Sequence, residues 1–154
     1  MKSFLISLML LVAILIPAVM LGSEGTLTPV YYHGNIKKVD IDWVASTNSG
    51  ADGSVKRISG TLKRVVFKGD TGSTLPDDNY DVTLKDAEGV DILAGLGANI
   101  SSNGTTTVCP GLRITTDTSA TGIVQFAFND KLTLTVTNTG SLNAGNVILY
   151  YTQE

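Results

Sequence analysis

Beyond residue 25 the hydrophobic positions of the chain recur with a period of two rather than 3.6. The clearest runs are Val39, Ile41, Trp43; Tyr80, Val82, Leu84; Val124, Phe126, Phe128; Leu132, Leu134, Val136; and Val147, Leu149, Tyr151. Successive side chains of a strand point to opposite faces, so each run predicts a β-strand with one apolar and one polar face. No stretch has the pattern of a long amphipathic helix, although residues 91–98 have room for one short turn.

Short clusters of Gly, Asn, Asp and Ser separate these runs at the spacing of an all-β domain. The segment from Asp86 to Gly89 predicts a hairpin loop in which Gly89 takes the left-handed conformation. Eight or nine short strands cannot bury their apolar faces as one flat sheet. We therefore expect residues 29–154 to form an antiparallel β-sandwich of the jelly-roll or Greek-key type.

The first residues of the chain have a different composition. From Phe4 to Leu21 there is no charged residue, Lys2 precedes this run and Glu24 follows it. The pattern predicts an N-terminal apolar helix, with residues 1–23 acting as a signal peptide or an N-terminal membrane anchor and residues 24–28 as a linker. The charges on either side favour a cytoplasmic N-terminus and an exported remainder.

Two interpretations of this apolar segment remain open. Lys2 suits the basic start of a secretory signal, but Met20 or Leu21 would stand at the −3 position, where a small residue is typical. A retained anchor is the alternative, because eighteen helical residues span about 27 Å of a hydrocarbon core of roughly 30 Å. Pro17 lies inside the run and would kink such a helix.

Composition and charge narrow the possible functions. The chain has 154 residues and a formal charge of −3, from 11 Lys and Arg against 14 Asp and Glu. A nucleic-acid binder that neutralises phosphates needs a basic face, so this class is disfavoured. One Cys excludes a disulfide framework within the chain, and one His excludes most metal and triad chemistry. The sequence therefore predicts no enzyme, no catalytic, cofactor-binding or metal-binding residue, no cofactor and no small-molecule substrate.

Two single residues, His33 and Cys109, have side chains that could act as a general base or a nucleophile. His33 follows Tyr31 and Tyr32 but lacks a second histidine or an evident orienting group, so we interpret it as a surface or edge-strand residue. Cys109 has no evident neighbour that would lower its pKa, and we expect a small buried hydrophobe at the end of a strand. An intermolecular disulfide is the alternative role if the domain is exported.

Two sets of charged residues, one acidic and one basic, are best interpreted as solvent-exposed faces without a specific ligand. The acidic residues of the middle of the chain lack the spacing of a calcium loop and predict a solvated face; they are Asp77, Asp78, Asp81, Asp86, Glu88 and Asp91. A basic stretch predicts the solvent side of two strands, with an acidic neighbouring subunit or a membrane surface as the alternative partner. Its members are Lys56, Arg57, Lys63, Arg64 and Lys68.

The order and spacing of several blocks are more specific than these single residues. The blocks are residues 36–43, 60–66, 78–93, 132–138 and 145–151. Together they resemble a family of small proteins of tailed phages and prophages that are encoded among virion morphogenesis genes. The likeness covers roughly residues 36–151.

The resemblance implies a non-enzymatic β-sandwich subunit on the head, neck or tail of the particle, and it carries over no catalytic residue. The expected function is that of a virion structural or decoration subunit that packs against copies of itself or against capsid or tail proteins. A homo-oligomer, either a trimer or a symmetric ring, is the expected assembly.

The apolar N-terminus departs from that family, because phage structural proteins normally assemble in the cytoplasm. Three explanations are open: a start codon set too early, a lipid-containing virion, or a domain recruited to a bacterial surface. The alternative function is therefore an exported or membrane-anchored domain that binds a glycan or a host component. Tyr31, Tyr32, Trp43 and Tyr80 are the first candidates for stacking on a sugar, although core packing suits Trp43 better.

Overall fold

A computed structural model describes residues 25–47, 50–110, 112–116, 120–124 and 126–153. Within these ranges the chain forms eleven strands, one 3-10 turn at Gly72–Thr74 and no α-helix. The strands are β1 (Thr26–Tyr32), β2 (Lys37–Val44), β3 (Ala51–Ser54), β4 (Ile58–Gly69), β5 (Asp81–Lys85), β6 (Thr105–Val108), β7 (Leu112–Thr116), β8 (Ala120–Val124), β9 (Ala127–Asp130), β10 (Thr133–Thr137) and β11 (Ala144–Thr152). The prediction of an all-β, antiparallel protein is confirmed.

The strands form two larger sheets and one separate hairpin. The larger sheet has the order β1-β2-β11-β4-β6, and β9 pairs with the other half of the long strand β4. The smaller sheet has the order β3-β10-β5, and β7 pairs with β8. Every pairing is antiparallel.

One hydrophobic core takes side chains from both larger sheets. Strand β2 contributes Val39, Ile41 and Trp43 to it, and β10 contributes Leu134 and Val136. These residues are the inward positions of the period-two runs, which explains why the alternation predicted the strands correctly. Burial of such side chains is the main favourable term in the folding of the domain.

A β-bulge in β4 sets which of its side chains face outward. The register against β11 shifts between Tyr150, which is opposite Arg64, and Tyr151, which is opposite Leu62. Lys63 is therefore the extra residue, and both Leu62 and Val65 reach the core while Arg64 between them is exposed.

Two of the sequence-based expectations need correction. The run of Val124, Phe126 and Phe128 is not one strand, because β8 ends at Val124 and pairs with β7, whereas β9 begins at Ala127 and pairs with β4. The turn after β5 does have Gly89 at a φ of 83°, as expected. Its return, however, is a single bridge between Lys85 and Asp91 rather than a full strand.

The N-terminal boundary can be described only from residue 25 onward. The apolar segment of residues 4–21, expected as a helix, lies outside the described residues. Strand β1 begins at Thr26, so the sheet takes in part of the stretch 24–28 that was predicted as a linker. Over the part of the chain that the structure describes, no helix is both long and apolar enough to cross a membrane.

Candidate functional site

The candidate site is the face of the larger sheet that points away from the core, which we call the outer face. On β2, Val39, Ile41 and Trp43 enter the core, so Lys38 and Asp42 must point the opposite way. The strand register then aligns the outward residues of neighbouring strands into three rows.

The first row alternates aromatic rings and cations across four strands. Tyr32 of β1 pairs with Lys38 of β2, which pairs with Tyr150 of β11, which pairs with Arg64 of β4. The Lys38 ammonium lies 4.1 Å from the centroid of the Tyr32 ring. The Arg64 guanidinium carbon lies 4.0 Å from the centroid of Tyr150. Such contacts stabilise by about 0.5–1 kcal/mol at exposed sites, so the row is ordered before any partner binds.

The second row is mostly apolar. Val30 of β1, Ile148 of β11 and Val66 of β4 lie in it, with Asp40 of β2 between the first two. Ile148 is 9% and Val66 is 8% exposed, yet neither belongs to the core cluster. Val30 is 43% exposed. The outer face therefore has an apolar strip of its own, separate from the core.

The third row is polar and is tied to the second by hydrogen bonds. It contains Asp42, Asn146 and Lys68 on β2, β11 and β4. The Asn146 amide nitrogen donates to Asp42 Oδ1 at 2.8 Å and also to Asp40 Oδ1. Lys38 Nζ donates to Asp40 Oδ2 at 2.7 Å, which makes an ion pair on the surface.

Titration of the Lys38–Asp40 pair reflects these contacts. The hydrogen bond from the ammonium to Asp40 raises the pKa of Lys38 above its ordinary value, and this effect outweighs the desolvation of the ammonium. Desolvation acts to raise the pKa of Asp40, but the hydrogen bonds from Lys38 and Asn146 and the nearby cations lower it overall. Both groups are therefore held in their charged forms.

An open groove of about 430 Å³ runs along the polar end of the outer face. Asp42, Lys68, Asp70 and Asn146 line it, together with Gly145. Asp70 accepts hydrogen bonds from the Thr71 amide and the Thr74 hydroxyl, and these lower its pKa. The groove presents the carboxylates of Asp42 and Asp70 and the ammonium of Lys68 to solvent, which suits recognition of a polar or charged partner.

The aromatic residues proposed for sugar stacking lie in different places. Trp43 is 1% and Tyr80 is 0% exposed, and their ring centroids are 5.8 Å apart in the core, so neither can stack on a ligand. Tyr31 packs against the core, and the Lys56 ammonium lies 3.9 Å from its ring centroid. Tyr32, 49% exposed, is the member of the set that the outer face presents to solvent.

His33 and Cys109 also lie apart from one another. His33 is exposed between β1 and β2, beside Lys37 and Tyr151 in a shallow groove. Cys109 is exposed just after β6, so the prediction of a buried hydrophobe is wrong. The following residue, Pro110, is the one that turns inward and is buried, which leaves the cysteine side chain facing solvent.

Among the acidic residues, Asp77, Asp78 and Glu88 are exposed, in line with the expected solvated face, whereas Asp81 and Asp91 are half-buried and hold loops against strands. Asp91 Oδ1 accepts from the Leu84 and Leu93 amides, each at 3.1 Å, and Asp91 Oδ2 accepts from the Gly95 amide at 3.0 Å. Asp81 Oδ1 accepts from the Asn99 amide at 2.9 Å. These bonds tie the loop after β5 to the edge of the smaller sheet, where unpaired strand amides would otherwise be exposed. Among the described residues, no group of three or more His, Cys, Asp and Glu is placed to hold a metal ion.

The basic stretch divides between two regions. Lys56 covers Tyr31, and the Arg57 guanidinium donates to the carbonyl of Asn129 at 3.1 Å. Arg64 and Lys68 belong to the outer face. The stretch is therefore not one basic patch, and its outward members alternate with rings and carboxylates.

The sequence did not single out Tyr150, Asn146 or Ile148. Their alternation with the buried Val147 and Leu149 was a usable signal, because it placed all three on the polar side of the last strand. What alternation cannot supply is which residues of other strands stand beside them.

The fold and the outer face define an all-β antiparallel domain with one exposed, patterned sheet surface. No family model matches the chain, and no curated protein or solved structure matches it either.

Proposed function

We propose that the chain is a non-enzymatic structural or decoration subunit of a phage or prophage particle. It acts by packing its outer face against copies of itself or against neighbouring capsid or tail proteins. The observation that carries the proposal is the outer face itself, where Val30 and Tyr32 are 43% and 49% exposed beside the buried Ile148 and Val66. Tyrosine and arginine are enriched at protein–protein contacts, and the row of Tyr32, Lys38, Tyr150 and Arg64 carries both on this one sheet face.

The proposal includes the architecture of a two-layer β-sandwich of jelly-roll or Greek-key order. Support comes from the single core shared by the two larger sheets and from the path of the chain. Successive strands pass between the sheets, since β2 and β4 belong to the larger sheet and β3 and β5 to the smaller one. A rigid all-β body with polar loops suits a subunit that repeats in a lattice, because weak contacts gain strength when they are multiplied.

The resemblance of residues 36–151 to small virion proteins supports the same role. The environment of His33, the one histidine of the chain, also supports a non-enzymatic role, because no hydrogen bond joins His33 to another described residue. A general base needs a partner within hydrogen-bond reach and an orienting group. Binding and assembly therefore account for the described surface better than catalysis.

Mass spectrometry of purified particles tests the virion role. We expect peptides of this chain to co-purify with particles through a density gradient, at a fixed ratio to the major capsid protein. A matched preparation from cells in which the gene is deleted serves as the control. Presence of the chain in the host envelope and its absence from particles would overturn the proposal.

A second candidate function is an exported or membrane-anchored surface domain that binds a glycan or a host component. The groove favours it, because the exposed Asp42 lies on the same sheet face as Tyr32 and Tyr150. Binding to a glycan array should then fall strongly in Tyr32→Ala and Asp42→Ala variants. The variant Asp52→Ala, at an exposed carboxylate on β3, is the matched control.

A further inference from the structure

A shallow groove of about 180 Å³, which we call the basic groove, lies at the end of the larger sheet where β1 turns into β2. Its cations come from three parts of the chain: His33 from the turn, Lys37 from the start of β2, and Lys56 and Arg57 from the connection between β3 and β4. Among the described residues that line it there is no Asp or Glu. The basic groove is therefore positive, although the whole chain has a formal charge of −3.

Lys37 occupies an inward position of β2. Val39 and Ile41 follow it at the same alternation and enter the core, so Lys37 points to the same side of the sheet. Opposite Lys37 on β11 is Tyr151, another member of the core cluster. Lys37 is half-buried, and no ion pair joins it to a described carboxylate. Its ammonium has thus lost part of its hydration without gaining a counter-charge, which an anion in the groove would supply.

The cations of the β3–β4 connection are held in position by contacts with the protein. The Lys56 amide donates to the Tyr31 hydroxyl oxygen at 2.8 Å, and the Lys56 ammonium lies 3.9 Å from the centroid of the same ring. The Arg57 guanidinium donates to the carbonyl of Asn129 at 3.1 Å, and a guanidinium has five N–H donors in all. Because both cations are already positioned, a ligand loses less free energy to side-chain ordering when it binds.

A carboxylate close to the groove is engaged elsewhere. Asp130 of β9 lies opposite Ile58 of β4 in the strand register. Its two oxygens accept the Ala87 amide at 3.0 Å and the Lys131 amide at 2.7 Å. Asp130 does not line the basic groove, so its charge is not the partner of the groove's cations.

We propose that the basic groove binds a tetrahedral oxyanion, namely a phosphate or sulfate group that is either free or the terminal group of a larger molecule. Such a group presents acceptor oxygens in several directions, as cations from three parts of the chain require, whereas a carboxylate presents two oxygens in one plane. Pockets for whole small molecules measure roughly 300–1,000 Å³, so the smaller basic groove suits a single charged group. The inference goes beyond the proposed virion role and does not depend on it.

A nucleic-acid backbone matches the surface less well. Its repeated phosphates call for a row of cations along an extended basic face. The cations at this end of the sheet line one small groove instead, and those of the outer face alternate with rings and carboxylates. A single phosphate or sulfate group is therefore the ligand that the arrangement favours.

Isothermal titration calorimetry tests the proposal on the full-length chain in a non-ionic detergent. Sodium phosphate is added at about pH 8, where phosphate groups are mostly dianions, and chloride keeps the ionic strength constant. We expect one site per chain, with a dissociation constant that rises at least about tenfold in Lys37→Gln, because a hydrogen bond between charged groups is lost. Lys56→Gln, outside the strands, is the second variant if Lys37→Gln loses its strand circular dichroism.

A matched control removes a positive charge away from the groove. Lys85→Gln changes an exposed lysine on β5 of the smaller sheet, and it should bind phosphate within about twofold of the original chain. Sulfate and glucose 6-phosphate then distinguish the sources of the group. Tighter binding of glucose 6-phosphate than of inorganic phosphate supports a terminal group of a larger molecule, whereas equal or weaker binding supports the free ion.

Four results would overturn the proposal. They are the absence of saturable binding up to about 10 mM phosphate, unchanged affinity in both groove variants, an equal loss in Lys85→Gln, and acetate binding as tight as that of phosphate. Duplex DNA that binds more tightly than phosphate and is weakened by the same variants would overturn it in favour of a nucleic acid. A chain that is found in particles but binds no phosphate would refute this site and leave the virion role standing.

Discussion

Gly145 of β11 lies directly opposite Trp43 of β2, and any side chain at position 145 would collide with the indole. A Cβ at residue 145 would stand 2.6 Å from Trp43 Cζ2 and 2.6 Å from the carbonyl oxygen of Lys68. Both distances are far shorter than van der Waals contact, and the carbonyl belongs to a paired strand that cannot move aside. The absence of a side chain at residue 145 therefore leaves room for the indole of Trp43, the largest fully buried side chain of the described core.

Replacement of Gly145 by alanine should destabilise the domain by about 2 kcal/mol or more, the cost of forcing extra volume into a packed site. Urea denaturation followed by Trp43 fluorescence measures the free energy of unfolding. Gly34→Ala is the matched control, because the nearest atom to a Cβ there is 3.4 Å away. Equal stability of the two variants would contradict the collision.

The carboxylate of Asp91 should be a second determinant of stability. It accepts three backbone amides, from Leu84, Leu93 and Gly95, and so caps the edge of the smaller sheet. Asp91→Ala leaves these amides without their acceptor, and we expect a loss of about 2–4 kcal/mol, with a smaller loss for Asp91→Asn. Glu88→Ala removes an exposed carboxylate from the same loop and should change the free energy of unfolding by less than about 0.5 kcal/mol.

Much of the fold was predictable because burial is decided locally within each strand. Val39, Ile41 and Trp43 form an inward set that any reader of the sequence can recognise, and the structure confirms it. Strand β1 was not predicted because Pro29 lies at its centre and Thr26 and Thr28 precede that proline. An edge strand tolerates proline, since its outer amides have no partner to lose.

The candidate site was less predictable because it depends on register. Tyr32, Lys38, Tyr150 and Arg64 come from four strands, and no local pattern tells which of their residues stand side by side. The β4 bulge adds to the difficulty, since the extra residue Lys63 reverses the alternation that would otherwise place Arg64. Exposure of Cys109 was missed for a related reason, because the orientation of a residue just past a strand depends on where the chain turns.

The Lys38–Asp40 ion pair should give stability a defined dependence on pH. The pKa of Asp40 is lowered in the folded state, so its contribution is present above its ordinary value of 3.8 and is lost as the pH falls through the lower, folded-state value. The pKa of Lys38 is raised, so its contribution is complete below 10.5 and is lost as the pH rises through the folded-state value.

A comparison with Asp40→Asn measures this effect. The difference in free energy of unfolding between the original chain and the variant should be constant near neutral pH and should shrink at both extremes. Because the pair lies on the surface, 0.5 M salt should reduce the difference as well. Asp52→Asn is a matched change on β3, and the same pH profile in that variant would show that the ion pair is not responsible.

A substitution at Tyr80 tests how a buried polar group affects the stability of the core. Its ring is fully buried against Trp43, and its hydroxyl has no hydrogen-bond partner among the described residues. A buried hydroxyl without a partner costs free energy, so Tyr80→Phe should leave the free energy of unfolding unchanged or raise it by up to about 1 kcal/mol.

Alkaline titration gives this prediction a second measurement. Burial raises the pKa of Tyr80 to about 12 from an ordinary value of 10.0, so the unfolded chain loses this proton before the folded one does. Stability contributed by the neutral ring is therefore complete below pH 10 and is lost as the pH rises toward 12. In Tyr80→Phe this part of the alkaline loss should disappear, as followed by urea denaturation from pH 9 to 11.5. A variant that is less stable at neutral pH by more than about 1 kcal/mol would instead show that the hydroxyl has a partner.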